Sequence, residues 1–574
     1  MIYDICIVGS GAGASPVAHT LAKAGAKVVI LEKGPWLTEK EFFKDELAIS
    51  LRDSYNPKLK DERHVIEEEY INDDGSRYWQ DESTADSGWS FWNGNVVGGS
   101  SNFMSGYFHR LKPIDFRLRS EFGEIKGANI VDWPISYDDL EPYYAQVEQQ
   151  IGVSGKVVAH PHQEPRSTNN FPFPPLAEHA VSRWIDQGAK ALGFHAIPVP
   201  RAVLSQPAMG RNSCEYSGYC SSYGCSSGAK GSGRAALLNH AVATGNLTIK
   251  ANAKVYRLAS DEQGKVTAVH YYDQQGRQQQ VSAKIYVVAC QAVETSRLLL
   301  SSTSKKFPNG LANNSGQVGK NLVFSAGGTG QGDFYLDELT EQKQAELKQV
   351  GPFINRALQD WYQIDDKNFS GANNDGKAKG GTIDFLFHQN PIARVQGSQR
   401  DSDNNLVWGE QLKQNIFNEF TTYKTLRFEV FNDWLPTDDC FVALDENVTD
   451  KWGDPVAKVR IGAHEHDLHV GEYLAEKGSQ LLSQLGAKNI STSVSSYPPT
   501  NLMAGGCRFG DDPKTSVLNK NCQAHEVENL YVTDGSFMPT GGSVPYTFTI
   551  YANAFRVAEH IKSRWQTEIA SMNS

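Results

Sequence analysis

Nowhere in the 574 residues is there an apolar stretch approaching the ~20 positions needed to span a bilayer, so no transmembrane helix is expected. Blocks of lysine and arginine are missing too. With a net charge of −11 and a pI of about 5.8, nucleic acid is not an expected partner. The first strand starts at Ile2 and carries Asp4, with no basic leader or cleavage site ahead of it. No signal peptide is read there, and a cytoplasmic location is the expectation. Cysteine is sparse at eight, which suits free thiols in a reducing compartment. What remains is ordinary globular composition, 40% hydrophobic and 21% charged, in a chain too long for one compact core. Two interleaved domains are therefore expected.

Residues 2–8 (IYDICIV) read as a buried strand, followed by Gly9-Ser10-Gly11-Ala12-Gly13-Ala14 and a helix to about Lys23 that Gly25 stops. Residues 27–31 (KVVIL) form the next strand, closed by Glu32. In Gly9-x-Gly11-x-x-Ala14, the first glycine permits a tight turn and the second lets a pyrophosphate approach the backbone. Ala14 keeps helix and strand close, and the helix N-terminus favours the phosphate charge. Glu32, nineteen residues after Gly13, is placed to accept hydrogen bonds from ribose hydroxyls and disfavours NADP. This unit alone fits FAD or NAD equally. Further along, 35–93 is polar and aromatic and reads as loops and short helices. Strand patterns at 247–258, 266–273 and 284–289 lead into a helix at 293–300. Residues 366–381 read as an exposed loop or insertion. Strands resume at 383–387, 426–431, 456–461 and 529–535, before a closing helix over about 547–566.

Several segments carry a resemblance. GNVVGGSSNFMSG (94–106), WPISYDDLEPYYAQVEQQIGVSG (133–155), VETSRLLL (293–300), NNSGQVGKNL (313–322), LDENVTDKWGDPVAKV (444–459) and GGCRFGDDPKTSVLNKNCQAHEVENLYVTDGS (505–536) are similar to the glucose–methanol–choline (GMC) oxidoreductase family. The look is nearest to bacterial gluconate and sugar dehydrogenase flavoprotein subunits. The resemblance implies an α/β fold: a Rossmann-like FAD-binding domain with an inserted α+β substrate domain, an antiparallel sheet backed by helices. On that reading the FAD-binding domain takes 1–34, 215–330 and 500–574. Residues 35–106 supply the flavin lid and attachment loops, and 107–214 with 331–499 make the substrate domain.

The resemblance also implies FAD contacts at Gly9, Gly11, Ala14, Glu32, Gly98, Gly99, Ser101, Asn102, Asp534, Gly535 and Thr547. Some relatives attach FAD through a histidine in the Gly-Gly loop; here that stretch reads SSNFM, so non-covalent FAD is expected. Cys214, Cys220 and Cys225 allow two readings. In some related sugar dehydrogenases this region holds an iron–sulfur cluster. The C-x5-C-x4-C spacing, with Ser217 where many relatives have cysteine, favours plain thiols in a tight loop. His464, His466 and His469 read as a solvated polar loop, and no metal is expected.

Where the family keeps its chemistry, this sequence departs. The resemblance places a catalytic histidine five residues before Cys507, which is Leu502, and a second His or Asn at Pro545, or at Val544 if the turn shifts by one. None of these side chains can accept a proton or donate a hydrogen bond. Asn501, Tyr546, Cys507 and Arg508 are the nearby polar candidates, and Gln291 stands where the family usually has glycine. Three functions stay open: an FAD-dependent oxidoreductase acting on a CH–OH or CH–CH donor through a non-standard site, an FAD enzyme catalysing an elimination, isomerisation or cleavage, and a non-catalytic FAD-binding subunit. In the first case Tyr546 or a base carried on the inserted domain reaches the same point in space. The apolar replacements suit a hydrophobic small-molecule substrate. A partner subunit or separate electron acceptor, and a sluggish reaction with oxygen, complete the expectations.

Overall fold

Short runs of valine and isoleucine with every position buried belong in a sheet covered on both faces. The computed structural model describes residues 2–42, 44, 46, 63–72, 74–84, 94–325, 327–369, 371, 373, 376–387, 390–401, 405–498 and 502–573. In it, five strands form one all-parallel sheet, in spatial order Leu530–Val532, Ala283–Val288, Tyr3–Val8, Val28–Leu31 and Leu247–Lys250, of which Leu530–Val532 and Val28–Leu31 are buried at every position. The helices Ser15–Lys23, Tyr137–Val147 and Thr547–Asn573 share its core. From the neighbouring parallel strands Tyr3–Val8 and Ala283–Val288 the strand order proceeds toward opposite edges of the sheet, which opens a crevice at their C-terminal ends.

The second large sheet is antiparallel, in the order Lys488–Ser493, Gly328–Tyr335, Tyr423–Trp434, Gly381–Leu386, Arg356–Leu358 and Ala196–Pro198. Alternation along Tyr423–Trp434 decides its faces. Leu426, Phe428 and Val430 are buried against the helices Val181–Leu192 and Glu465–Gln484. Glu429 and Phe431, one step out of phase, face the other way, into a cavity shared with the crevice of the parallel sheet. The far end of the same strand is joined to the cofactor half of the molecule. Phe324 pairs with Trp434, and Leu322–Ser325 pairs in turn with Met503–Gly505.

The architecture is the Rossmann-like layer plus helix-backed antiparallel sheet that the resemblance implies. Three local readings need correction. Within 35–93, Val65–Ile71 and Arg77–Ser83 form an antiparallel pair docked on Pro455–Ile461. Their acidic residues disguised them in the sequence: Glu67 is held by Arg460 at 2.7 Å and Lys458 at 3.2 Å. His464 is the N-cap of the helix Glu465–Gln484 and not part of a solvated loop, with His466 in its first turn. In 366–381, Lys377–Lys379 is a strand paired with Gln363–Asp365, and Lys379 is buried. No helix of the described residues is long and apolar enough to cross a membrane.

Candidate active site

The strand–turn–helix at 3–23 sets one end of the cavity. Gly9 has φ of +91°, and a Cβ there would stand 2.2 Å from the Ala289 carbonyl oxygen, so the turn requires glycine. Gly9 and Gly11 therefore present bare backbone to the cavity, at the N-terminal end of Ser15–Lys23. Glu32 is buried on the same wall, accepting from Ser10 Oγ at 2.5 Å and from the Gly34 N–H at 2.9 Å. Ser10 Oγ in turn accepts from the Gly98 N–H, which ties the first turn to the 94–106 segment.

Of the cofactor contacts read from sequence, Gly9, Gly11, Glu32, Gly99, Ser101, Asp534, Gly535 and Thr547 line the cavity. Ala14, Gly98 and Asn102 stand behind the wall. Asn102 Nδ2 donates to the carbonyls of Val97 and Gly99, and Ala14 is fully buried at the head of the helix. Both oxygens of Asp534 are occupied within the protein: one accepts from Ser536, the other from the Gln291 N–H and Thr295 Oγ1. Asp534 thus fastens the last strand of the parallel sheet to the helix Ala292–Ser301. Bare glycine backbone, a helix N-terminus and a buried acid at the next strand end together fit the pyrophosphate and ribose of FAD.

Gln291 carries a strain that its sequence position hinted at. Its φ and ψ are +81° and 153°, a region that costs a side chain of order 1–3 kcal/mol. Glycine meets that requirement freely. Here the glutamine offsets part of the cost by capping the helix that follows, its Oε1 accepting from the Val293 N–H at 3.0 Å.

At the other end of the cavity, Leu502, Pro545 and Tyr546 are all on the wall, whereas Val544 is fully buried behind it. The turn before the closing helix therefore presents proline. It is held from below: Asp433 accepts from the Gly542 N–H at 2.5 Å and from Ser543 Oγ, and Lys379 reaches Ser543, Asp433 and Asp115. Tyr546 Oη is buried with no hydrogen-bond partner, and burial followed by the nearby Asp433 charge pushes its pKa well above the usual value. It cannot serve as a proton acceptor near neutrality. Arg508 is spent on the carbonyls of Thr515 and Asn129, and Cys507 is fully buried off the wall, its thiol pushed up by burial. Asn501 lies outside the described residues.

One acid was missed in the sequence. Glu429 faces the cavity directly across from Asp384 on the neighbouring strand. Burial, then the Asp384 charge, raises its pKa to about 7, with Arg201 acting in the opposite sense. Asp384 is itself fully buried and meets His109 Nε2 at 3.2 Å. Arg201 is fixed by Asn355 Oδ1 at 2.6 Å and the Ser105 carbonyl at 2.8 Å, and it stacks between Tyr107 and Phe353. No hydrogen bond to the Glu429 carboxylate is found among the described residues, which leaves it available to a substrate. The signal was present in LRFEVFN: a strand whose even positions make a core face must turn a lone glutamate to the opposite side.

The 214–227 loop covers one flank of the cavity, close to Ser105 and Asn102. Lys230 is buried beneath it and donates to the carbonyls of Asn102, Cys220 and Tyr223. Burial raises the Cys214 thiol to about 11. Burial also pushes the Cys225 thiol up, but the Lys230 charge and hydrogen bonds from Ser227 and Lys230 outweigh it and leave it below the ordinary value. Among the described residues, Cys214, Cys220 and Cys225 do not bring their sulfurs together as a ligand set.

The cavity holds about 770 Å³, runs from the glycine turn to the antiparallel sheet, and carries aromatic residues along its lining: Phe103, Tyr107, Phe353, Phe387 and Phe431. That size and lining suit one organic molecule beside a cofactor. Comparison with known proteins agrees. The GMC oxidoreductase family matches residues 174–325 and, with its C-terminal part, 436–554. A 2-methyl-1,2-propanediol dehydrogenase of Mycolicibacterium austroafricanum is 30% identical, covering 98% of this chain and 95% of its own. A 6'''-hydroxyparomomycin C oxidase of Streptomyces lividus is 28% identical, with 99% and 93% covered. A gluconate 2-dehydrogenase flavoprotein of Pantoea cypripedii is 24% identical, with 98% and 94% covered. Among solved structures, an Aspergillus oryzae formate oxidase studied for FAD modification superposes with a TM-score of 0.65 at 16% identity, over 98% of each chain. With relatives spanning its whole length, this chain belongs to the GMC oxidoreductases, and it is an FAD-dependent oxidoreductase of an organic substrate.

Proposed function

We propose that the protein oxidises a hydroxyl-bearing carbon of a small organic substrate and that Glu429 takes the hydroxyl proton. The carrying observation is the Glu429 carboxylate: it faces the same cavity as Leu502 and Pro545, lacks a hydrogen-bond partner among the described residues, and has a pKa of about 7. A base so tuned exchanges protons readily at neutral pH. Bound FAD supplies the two-electron acceptor for the hydride leaving the carbinol carbon. Glu429 accepts the proton on its carboxylate, Arg201 holds the local charge, and the aromatic wall excludes water from the reacting end. The relatives' names point the same way, since a diol dehydrogenase and a hydroxyparomomycin oxidase both act on hydroxyl compounds. The aromatic lining with Leu502 and Pro545 favours a substrate with apolar surface around the reacting hydroxyl.

FAD is held without a covalent link on this reading. The histidine nearest the 94–106 segment in sequence is His109, and it is engaged with Asp384. All eight cysteines are free, which supports a reducing, cytoplasmic setting. The division at 34, 106, 214, 330 and 499 belongs to the same proposal, although Tyr137–Val147 packs in the core of the parallel sheet and all of Gly328–Tyr335 belongs to the antiparallel one. The test is anaerobic mixing of the FAD-loaded protein with a panel of vicinal diols, amino sugars and branched alcohols while the flavin absorbance is followed. Bleaching faster than about 1 s⁻¹ by a hydroxyl compound is expected. A flavin left oxidised by the whole panel, or product formed with no flavin bleaching, defeats the proposal. Acid precipitation should release all the flavin into the supernatant.

A further inference from the structure

Asp384 lies inside the antiparallel sheet with only one of its carboxylate oxygens engaged. In its strand, Gly381–Leu386, Ile383 and Phe385 point into the helix-backed core, so Asp384 takes the opposite, cavity-side face. Residues directly opposite on paired strands share a face, and the two opposite Asp384 are Glu429 and Ala357. The chain leaving the 94–106 segment crosses the same face. Tyr107 bridges to Arg201 there, and His109 Nε2 meets Asp384 Oδ1 at 3.2 Å. Asp384 Oδ2 is buried with no hydrogen-bond partner, and the residue is 0% exposed.

A buried carboxylate oxygen left unpaired is costly, so a donor is needed at some stage of the cycle. Substrate cannot supply it, because Asp384 is sealed behind the cavity wall. Ala357 has no polar side chain. Arg201 is committed to Asn355 and the Ser105 carbonyl, and His109 serves the other oxygen. Glu429 remains, a cross-strand neighbour with its Cβ about 4.5–5.5 Å away, which a glutamic acid O–H can span.

We propose that Asp384, oriented by His109, is a positioning residue for Glu429: once Glu429 holds the substrate's hydroxyl proton, its O–H donates to Asp384 Oδ2. This rests on the reading of Glu429 as the proton acceptor. The proton stays on Glu429 and only its hydrogen-bond acceptor changes, so the acid turns from the reacting end and does not return the proton to the product oxygen. The other groups around the pair are few. Arg201 acts on Glu429 in the sense opposite to Asp384, and Tyr107 lies in the field of all three. On its other side Glu429 pairs with Thr329, and Arg427, two positions back, faces the charges of Glu419 and Asp333.

The experiment is the pH dependence of flavin reduction in FAD-loaded Asp384→Asn, by rapid anaerobic mixing with the hydroxyl compound that reduces the parent fastest. Without the neighbouring negative charge Glu429 ionises more easily, so the parent's inflection should fall to about pH 6 or lower. The weaker base should also lower the plateau rate by about 3–10-fold. His109→Phe leaves Asp384 without its donor, so Asp384 takes up a proton itself and the inflection should fall in the same way. His109→Gln keeps a donor and should hold the inflection near the parent's. The parent supplies a second readout that needs no variant of Asp384 or His109. Infrared difference spectra on reduction by substrate should show a new carboxylic acid, its C=O band displaced to low frequency by a strong hydrogen bond and missing in Glu429→Gln. A Glu429→Gln variant that reduces its flavin at the parent's rate removes the base reading itself. With that variant slow, an inflection left in place in Asp384→Asn, or the C=O band of a free acid in the parent, overturns the role of Asp384 alone.

Discussion

Exchanging Glu429 for glutamine separates chemistry from structure, because the two effects run in opposite directions. The amide keeps shape and volume but cannot take a proton, so flavin reduction by the best substrate should slow by about 10²–10⁴-fold, or 3–5 kcal/mol in the barrier. Stability should move the other way. In the fold the carboxyl titrates near 7 against 4.5 for the ordinary group. Below about pH 4.5 it is protonated in both folded and unfolded chains and contributes nothing. Between 4.5 and 7 the unfolded chain ionises first, and above 7 the fold bears the full cost of the buried charge, on the order of 3 kcal/mol. At pH 8 the glutamine variant should therefore resist urea at least as well as the parent. In the parent, the logarithm of the reduction rate should rise with unit slope up to about pH 7 and then level off, and the variant should lose that inflection. Rapid anaerobic mixing across pH 5.5–9, paired with urea melts, measures both. A variant that reduces its flavin within threefold of the parent, or a parent profile flat through pH 7, refutes a proton-accepting role for Glu429.

Four further outcomes are expected. Gln291→Ala keeps the unfavourable backbone and loses the cap, so chemical denaturation should show a loss of about 1 kcal/mol, whereas Gln291→Gly removes strain and cap together and should stay near the parent; equal stability of all three would argue against the cap. Lys379→Ala leaves Asp115 and Asp433 buried without their shared cation, and urea melts should record about 3–5 kcal/mol of destabilisation; a change below 1 kcal/mol would show that the carboxylates find another partner. Glucose, gluconate and choline should reduce the flavin at least about 100-fold more slowly than the best panel member, if Leu502 and Pro545 occupy the positions that the resemblance gives to the family's polar pair; comparable rates would mean those positions do not govern sugar chemistry. Photoreduced flavin mixed with air should reoxidise slowly, because no protonated histidine stands at position 502 to stabilise reduced oxygen, and this is checked by following the return of flavin absorbance.

Much of the cofactor half was legible in the sequence because local rules settle it. A buried β-strand, a glycine that must adopt positive φ and an acid at the next strand end are each consequences of a few neighbouring residues. Leu502 and Pro545 were singled out by counting from a fixed turn, and both line the cavity. What escaped depends on partners distant in sequence. Glu429 looks like an ordinary charged residue until strand pairing sets it opposite Asp384. Lys379, in a stretch that reads as an exposed loop, is buried because Asp115 and Asp433 converge on it. Tyr546 and Cys507 were plausible from adjacency alone, and only burial removes them. Strands 65–71 and 77–83 were hidden because their charges are neutralised by residues near 460 and by each other.

The order of the parallel sheet has a bearing on how the molecule is made. Its central strand, Tyr3–Val8, is flanked by Ala283–Val288, and that strand waits for Leu530–Val532 on its other side. During synthesis the N-terminal turn therefore emerges with one half of its walls missing, and Asp534 and Thr547 arrive only near the end. Contacts of such long sequence separation form slowly and leave sheet edges unpaired in the meantime. The nascent chain should consequently capture its flavin late, after the closing helix docks, so that flavin supply and chaperone protection during that interval set the yield of active enzyme.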